Sequence, residues 1–231
     1  MMNSILNPTV WVGSFEWREP VTTLTDFLVA LVCWFAYFSF GKIVSKHVSF
    51  KWFKNYFLIF AIGMTSAAWL GHGLQAYVPD YAKVVGWICG ATGLMFLQLG
   101  SFKIIENRVG LTVKIWLPKW FVFQWILAVL LMIFMLQYGI ENAFKVTQIN
   151  SSVALILMVL PMHLFASKKL NLTGSKIVAS ALFYSIIPGI VYSNQLSINH
   201  WFNYHDISHL LMAVFMTIMY FGLRRVIESQ K

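Results

Sequence analysis

Three histidines combine a residue type and a spacing that suit a metal ion: His72, His205 and His209. His205 and His209 are four residues apart, so on a helix their rings lie about 40° apart around the axis and can point at one ion. A histidine from a second helix would complete a three-imidazole set. Such sets hold catalytic zinc and leave a fourth position open for water. These residues predict a Zn²⁺ site, provided that the fold brings His72 to the other two.

An acidic residue follows the first histidine of the pair, giving the string HDISH from His205 to His209. The string resembles the zincin pattern H-E-x-x-H, in which the acid is the general base. Asp206 is one methylene shorter than that glutamate. It can therefore act as a base, or it can accept a hydrogen bond from a ligand imidazole and fix its tautomer.

Composition shows which elements must position these residues. Of the 231 residues, 59% are apolar and only 11% are charged, whereas soluble domains carry about 25% charged residues. Apolar stretches of about 18 or more residues indicate membrane helices. We predict an all-α integral membrane protein, with residues 1–231 forming one seven-transmembrane helix bundle. Its helices lie at about residues 21–41, 55–72, 84–102, 120–140, 149–167, 177–196 and 204–223.

The basic residues predict how the bundle is oriented. Although the net charge is +9, 14 of the 17 Lys and Arg lie after the first, third and fifth predicted helices or in the C-terminal tail. This asymmetry follows the positive-inside rule. It predicts a multi-pass protein of the cell or inner membrane, with its N-terminus outside and its C-terminus in the cytoplasm. The basic loops would meet anionic lipid rather than nucleic acid. All three histidines then lie toward the extracytoplasmic side.

A carboxylate near the start of the first helix, Asp26, is also predicted to lie within the membrane. An unpaired carboxylate there is costly. Asp26 should therefore face the bundle interior with a partner, or be protonated.

The histidine pattern resembles that of the CREST superfamily of seven-helix membrane hydrolases. Members bind zinc through one histidine late in helix two and an H-x-x-x-H pair in helix seven, matched here by His72, His205 and His209. The predicted orientation is most similar to the alkaline ceramidase branch. So is the stretch EWREPVTTLTDFLVA, residues 16–30.

The resemblance also implies catalytic positions. Family members have a serine four residues before the helix-two histidine, where this chain has Ala68; Ser66 and Thr65 are the nearby hydroxyls, and Ser66 is our candidate. Members also have an aspartate near the start of helix three. Asp80 is the only acid between His72 and Glu106 and is therefore the best match.

Together these features predict a zinc-dependent hydrolase of a lipid amide or ester with its site in the outer leaflet, and the resemblance implies ceramide as such a lipid. Asp80, or alternatively Asp206, would take a proton from the attacking water. Three other functions stay open: a haem-binding electron-transfer protein, a receptor or transporter without hydrolase activity, and a family member that keeps zinc for structure alone. The sequence leaves the oligomeric state open.

Overall fold

A computed structural model describes residues 8–230 of the chain. A β-hairpin precedes the helices: β1 (Thr9–Val12) pairs antiparallel with β2 (Phe15–Arg18). Gly13 lies in the connecting turn with φ +63°, in the left-handed region that glycine adopts at no steric cost. The hairpin packs on the end of the bundle that carries His72, where Phe15 stacks on Tyr77. The all-helical prediction did not include this hairpin.

Nine α-helical segments follow within residues 8–230. They are α1 (Pro20–Gly41), α2 (Ser49–Ser66), α3 (Lys83–Ile105), α4 (Leu111–Met135), α5 (Ile140–Ser152), α6 (Leu160–Lys169), α7 (Thr173–Tyr184), α8 (Ile186–Ser193) and α9 (Tyr204–Glu228). A π-helical segment, Val153–Val159, joins α5 to α6, and only Ser185 separates α7 from α8. The described segments therefore form seven rods, in the order that the apolar stretches predict.

Six of these rods are long and apolar enough to cross a membrane, within the described part of the chain. They are Pro20–Gly41, Asp80–Arg108, Leu111–Tyr138, Ile140–Lys169, Thr173–Ser193 and Tyr204–Glu228. The chain is therefore an integral, multi-pass membrane protein. The remaining rod contains α2 and is less apolar, because lysines lie in its first turns and Thr65, Ser66 and His72 interrupt its second half.

The rod of α2 ends in a second π-helical segment, Ala67–Gly73, which carries His72. A π-helix inserts an extra residue into a turn and thereby changes the direction of the side chains beyond it; such segments often occur at functional sites. The seventh rod, α9, is a regular α-helix from its first residue, so His205 and His209 keep the spacing of a regular helix.

Close helix contacts position the rods that carry the histidines. α1 packs against both α2 and α9, while α2 packs against α3 and α9 packs against α7. Gly174 of α7 meets Gly222 of α9 so closely that a Cβ on Gly174 would lie 2.4 Å from the backbone nitrogen of Val226. Small residues permit this kind of approach between membrane helices.

Away from the three histidines, buried polar side chains of α3 to α7 are paired with one another. Gln98 donates to Gln124 at 3.0 Å, and Gln124 donates to the side chain of Asn150 at 2.9 Å. His163 is fully buried, and its two ring nitrogens lie 3.0 and 3.2 Å from the hydroxyls of Ser101 and Ser175. These pairs satisfy groups that would be costly if left unbonded in lipid.

Candidate metal centre

The fold brings the three predicted histidines together at one end of the bundle. His72 comes from the π-helical end of the second rod, and His205 and His209 from the first two turns of α9. The ring centroid of His72 lies 6.1 Å from that of His205 and 6.1 Å from that of His209. The His205 and His209 rings are 6.5 Å apart. The three imidazoles therefore form a nearly equilateral triangle, the histidine triangle.

Two carboxylates from the start of α1 contact this triangle. Glu19 is the residue before α1, and its carboxylate accepts a hydrogen bond from Nδ1 of His72. Asp26 lies between His72 and His209: its Oδ2 is 3.6 Å from Nε2 of His72, and its Oδ1 is 3.2 Å from Nδ1 of His209. Both carboxylates that contact the triangle therefore come from α1 and the residue directly before it.

Glu19 is held in an unusual conformation. Its backbone has φ 46° and ψ 53°, a left-handed geometry that costs a non-glycine residue free energy and often accompanies a functional site. Burial raises the pKa of the Glu19 carboxyl, but the hydrogen bond and electrostatic attraction of His72, together with the charge of Lys83, outweigh burial and leave the pKa below its ordinary value. Glu19 is therefore ionised at neutral pH and acts as the acceptor.

The hydrogen bonds also decide which ring nitrogens face the triangle. Thr25 uses its hydroxyl hydrogen on the carbonyl of Thr22 at 3.0 Å, so its oxygen must accept from Nδ1 of His209, 3.3 Å away. The ionised Glu19 likewise accepts from Nδ1 of His72. These contacts favour the neutral tautomer of both rings in which Nδ1 carries the proton and Nε2 keeps its lone pair. Metal-binding histidines have this arrangement, with the second nitrogen held by a carboxylate or another acceptor.

Asp26 is the least satisfied polar group of the site. It is 1% exposed, and among the described residues neither of its oxygens has a hydrogen bond of standard geometry. A buried carboxylate without such partners is costly unless positive charge or a donor faces it. Asp26 faces one donor in the triangle, Nδ1 of His209, which helps to explain why an acid is tolerated at this depth.

The carboxylate of Asp206 accepts hydrogen bonds from groups other than the three histidine rings. It is fully buried, accepts from the Thr22 hydroxyl at 2.7 Å, and accepts from the backbone nitrogen of Asn203 at 2.7 Å. Asn203 in turn accepts from the backbone nitrogen of His205, which completes a capping box at the start of α9. Asp206 therefore ties α9 to α1 and fixes the helix end from which the histidine pair projects.

Two aromatic rings enclose the His205 side of the triangle. The Tyr192 ring meets His205 edge-on at 5.3 Å between centroids, and the Tyr204 ring lies 4.2 Å away. These contacts limit the rotation of His205, as Glu19 and Thr25 limit that of the other two histidines.

The fit of a zinc ion depends on the chemistry and the spacing of these donors. Three neutral imidazoles with a nearby carboxylate suit zinc. With Zn–N distances of about 2.0–2.1 Å, tetrahedral imidazoles have centroids about 5 Å apart, roughly 1 Å less than here. Accordingly, no group of three or more His, Cys, Asp or Glu side chains within residues 8–230 is already close enough to hold a metal ion. The donor set would accommodate zinc after each ring moves inward by roughly 0.6 Å, which shortens each centroid separation by about 1 Å.

The other two predicted catalytic residues lie apart from the triangle's contacts. Asp80 is exposed in the turn before α3, where its carboxylate accepts from Gln75 at 3.2 Å. Ser66 is half-buried at the end of α2, before the π-helical segment begins. Ala68 is fully buried. Catalytic roles for Asp80, Asp206 and Ser66 stay predictions.

Sequence reasoning placed Asp26 in the bundle interior but did not assign Glu19 or Asp26 to the site. For Asp26 the available signal was an acid inside an apolar helix. For Glu19 there was no comparable signal, because its contact with His72 spans 53 positions and depends on a left-handed backbone.

Residues 21–228 match the model of a family of unknown function (DUF6962), and the chain belongs to that family. Searches of the curated proteins and of the solved structures gave no significant match. The similarity to the CREST superfamily stays a prediction from the histidine pattern.

Proposed function

We propose that this member of the DUF6962 family is a zinc-dependent, membrane-embedded hydrolase that cleaves an amide or ester bond of a lipid such as ceramide. One observation carries the proposal: three histidines from two rods converge. In two of these histidines Nδ1 is hydrogen-bonded to another side chain, which leaves the Nε2 lone pair for an ion. Plain membrane anchors have no need of such an arrangement.

The residues of the chain take distinct roles in this proposal. His72, His205 and His209 hold the ion, which when bound supplies an acidic water and a Lewis acid for the substrate carbonyl. Asp26 is the carboxylate that lies between two of the histidines, so we propose that it takes the proton of the attacking water and returns it to the leaving group. Glu19 and Thr25 orient two of the rings, and Asp206 holds α9 against α1.

An apolar groove on the same two helices supports a lipid as substrate. Leu31, Val32 and Phe35 of α1 face Thr217, Tyr220 and Phe221 of α9 around a groove of about 260 Å³. The groove begins about one turn beyond Asp26 along α1 and two turns beyond His209 along α9. We assign it to an acyl chain, whose scissile bond would then lie at the histidine triangle.

The charge distribution supports an extracytoplasmic site. Within the described residues, the end of the bundle that holds the histidine triangle also carries the hairpin and most of the acidic residues. The other end carries most Lys and Arg. By the positive-inside rule the triangle then lies in the outer leaflet, with the N-terminus outside and the C-terminus in the cytoplasm.

A receptor or transporter-like protein with a structural metal and no hydrolase activity is the second candidate. The specific observation in its favour is the buried Ala68 where hydrolases of the resembled type have serine, together with an exposed Asp80 paired with Gln75. In this alternative a metal ion held by the three histidines links the rod of α2 to α9, and Asp26 balances the charge of the ion.

Metal content tests the first step. Protein purified in detergent should contain about one zinc per chain, and His72→Ala and His209→Ala should each lose it. His200→Ala is the matched control, because this histidine is exposed in the loop before α9, where its ring lies next to that of Trp201. Zinc that is absent from the wild type, or retained by His72→Ala, would refute the convergent site.

Lipid hydrolysis tests the second step. Fatty acid release from a panel of ceramides, N-acyl amines and phospholipids should require zinc. It should fall at least about 100-fold in Asp26→Asn, while zinc content is kept. Asp80→Asn should retain activity. A zinc-loaded wild type that is inactive on every lipid class would favour the structural-metal alternative.

A further inference from the structure

A polar cleft lies at the end of the bundle away from the histidines. It has a volume of about 440 Å³ and lies between the turn after α3, the turn between α6 and α7, and the residues after α9. Arg108 and Lys169 contribute one cation each, and Asn107, Asn171 and Gln230 contribute amides. Since α3 rises about 1.5 Å per residue, the cleft is about 30 Å from the triangle. It therefore belongs to a different site.

The charged side chains that line the cleft are both positive. No acidic side chain of residues 8–230 lines it. The two acids closest in sequence are engaged by other cations: Glu106 by Lys103 at 2.6 Å and Glu228 by Arg224 at 2.8 Å. Within the described residues, Arg108 and Lys169 have no ion pair, so both charges are available to a ligand of opposite sign.

The polar lining adds hydrogen-bonding capacity that the protein does not use. The Oε1 atom of Gln230 is buried and has no hydrogen-bond partner among the described residues. The two ends of an amide are interchangeable in shape, so a rotation of 180° presents its NH₂ group as a donor to a ligand. Asn171 holds φ +52° in the turn between α6 and α7, which places a left-handed residue at the rim.

We propose that this cleft binds a phosphate group. A guanidinium offers paired donors that match phosphate oxygens, and an ammonium adds a point charge. The volume is within the range of ordinary small-molecule sites. Ile104, Leu170 and Leu172 give one side of the cleft an apolar wall. Both a phospholipid head group and a soluble phosphate ester have the required chemistry.

The charge of the two cations sets the size of the expected effect. A Lys or Arg beside an anionic membrane surface changes affinity about fivefold. Arg108→Gln and Lys169→Gln should thus each weaken binding about fivefold, and the double variant about 25-fold. Lys168→Gln is the matched control, because it removes the same charge one residue away and does not line the cleft. Arg108→Lys should weaken binding less than Arg108→Gln does, since it keeps the charge but loses the paired donors.

The experiment uses the full chain in nanodiscs of phosphatidylcholine. One arm measures the binding of a fluorescent phosphatidic acid, and the other measures the binding of glycerol 1-phosphate by calorimetry. Loss of both in the double variant, or of the lipid alone, supports the site and tells the two sources apart. Equal affinity in the double variant and in Lys168→Gln, or no binding by the wild type in either arm, overturns the proposal. Unchanged zinc content in the same variants separates this result from a failure of the proposed hydrolase.

Discussion

Replacing Glu19 by glutamine tests the pairing between this carboxylate and His72. The substitution keeps the size of the side chain and one acceptor oxygen, but it removes the negative charge that holds Nδ1–H of His72. The side chain is 8% exposed, so water cannot replace the lost carboxylate easily. The imidazole should then rotate more freely and donate less electron density through Nε2.

The magnitude follows from the role of such partners. Loss of a group that orients a metal-binding histidine costs 10- to 100-fold in metal affinity, which is about 1.4–2.7 kcal/mol. A hydrogen bond to a charged group contributes about 1.5–3 kcal/mol, so the two figures agree. We therefore expect Glu19→Gln to bind zinc roughly 10- to 100-fold more weakly than the wild type, but more tightly than His72→Ala.

Zinc affinity can be measured by competition with a chromogenic chelator in detergent at neutral pH. Glu16→Gln is the control, because Glu16 lies only three residues away in β2 and pairs with the exposed Arg18. Its zinc affinity should equal that of the wild type. An unchanged affinity in Glu19→Gln, in a protein whose zinc depends on His72, would refute the role of this carboxylate.

Three further changes test the packing, the buried polar pairs and the groove. Gly174→Ala should lower the free energy of unfolding by about 1–3 kcal/mol through a backbone clash with α9. Gly189→Ala, with open space around its Cα, should not lower it; equal melting temperatures would contradict the close approach of α7 and α9. Gln124→Leu leaves the side chain of Asn150 without its donor and should cost about 1–2 kcal/mol, read as a lower melting temperature; an unchanged one would show that the pair contributes nothing. Thr217→Trp should obstruct the groove and reduce hydrolysis of long-chain relative to short-chain substrates at least about tenfold, whereas Thr217→Val should not; an unaltered chain-length preference would exclude the groove as the acyl site.

The sequence by itself determined the features that depend on local properties. The number and order of the rods follow from apolar stretches, because each stretch must satisfy its backbone by forming a helix in lipid. The predicted last span, 204–223, corresponds to α9, Tyr204–Glu228. The shared direction of His205 and His209 also follows from spacing alone, since a regular helix repeats every 3.6 residues.

Tertiary structure alone decided what surrounds those histidines. The position of His72 depends on a π-helical segment and on the packing of α1 between α2 and α9, and neither leaves a periodic signal. The contact of Glu19 with His72 depends on a left-handed residue, and the engagement of Asp206 in the cap of α9 required a partner on α1. The spacing of a few residues determines where a side chain points along its own helix, but only the packing of distant segments determines what it meets.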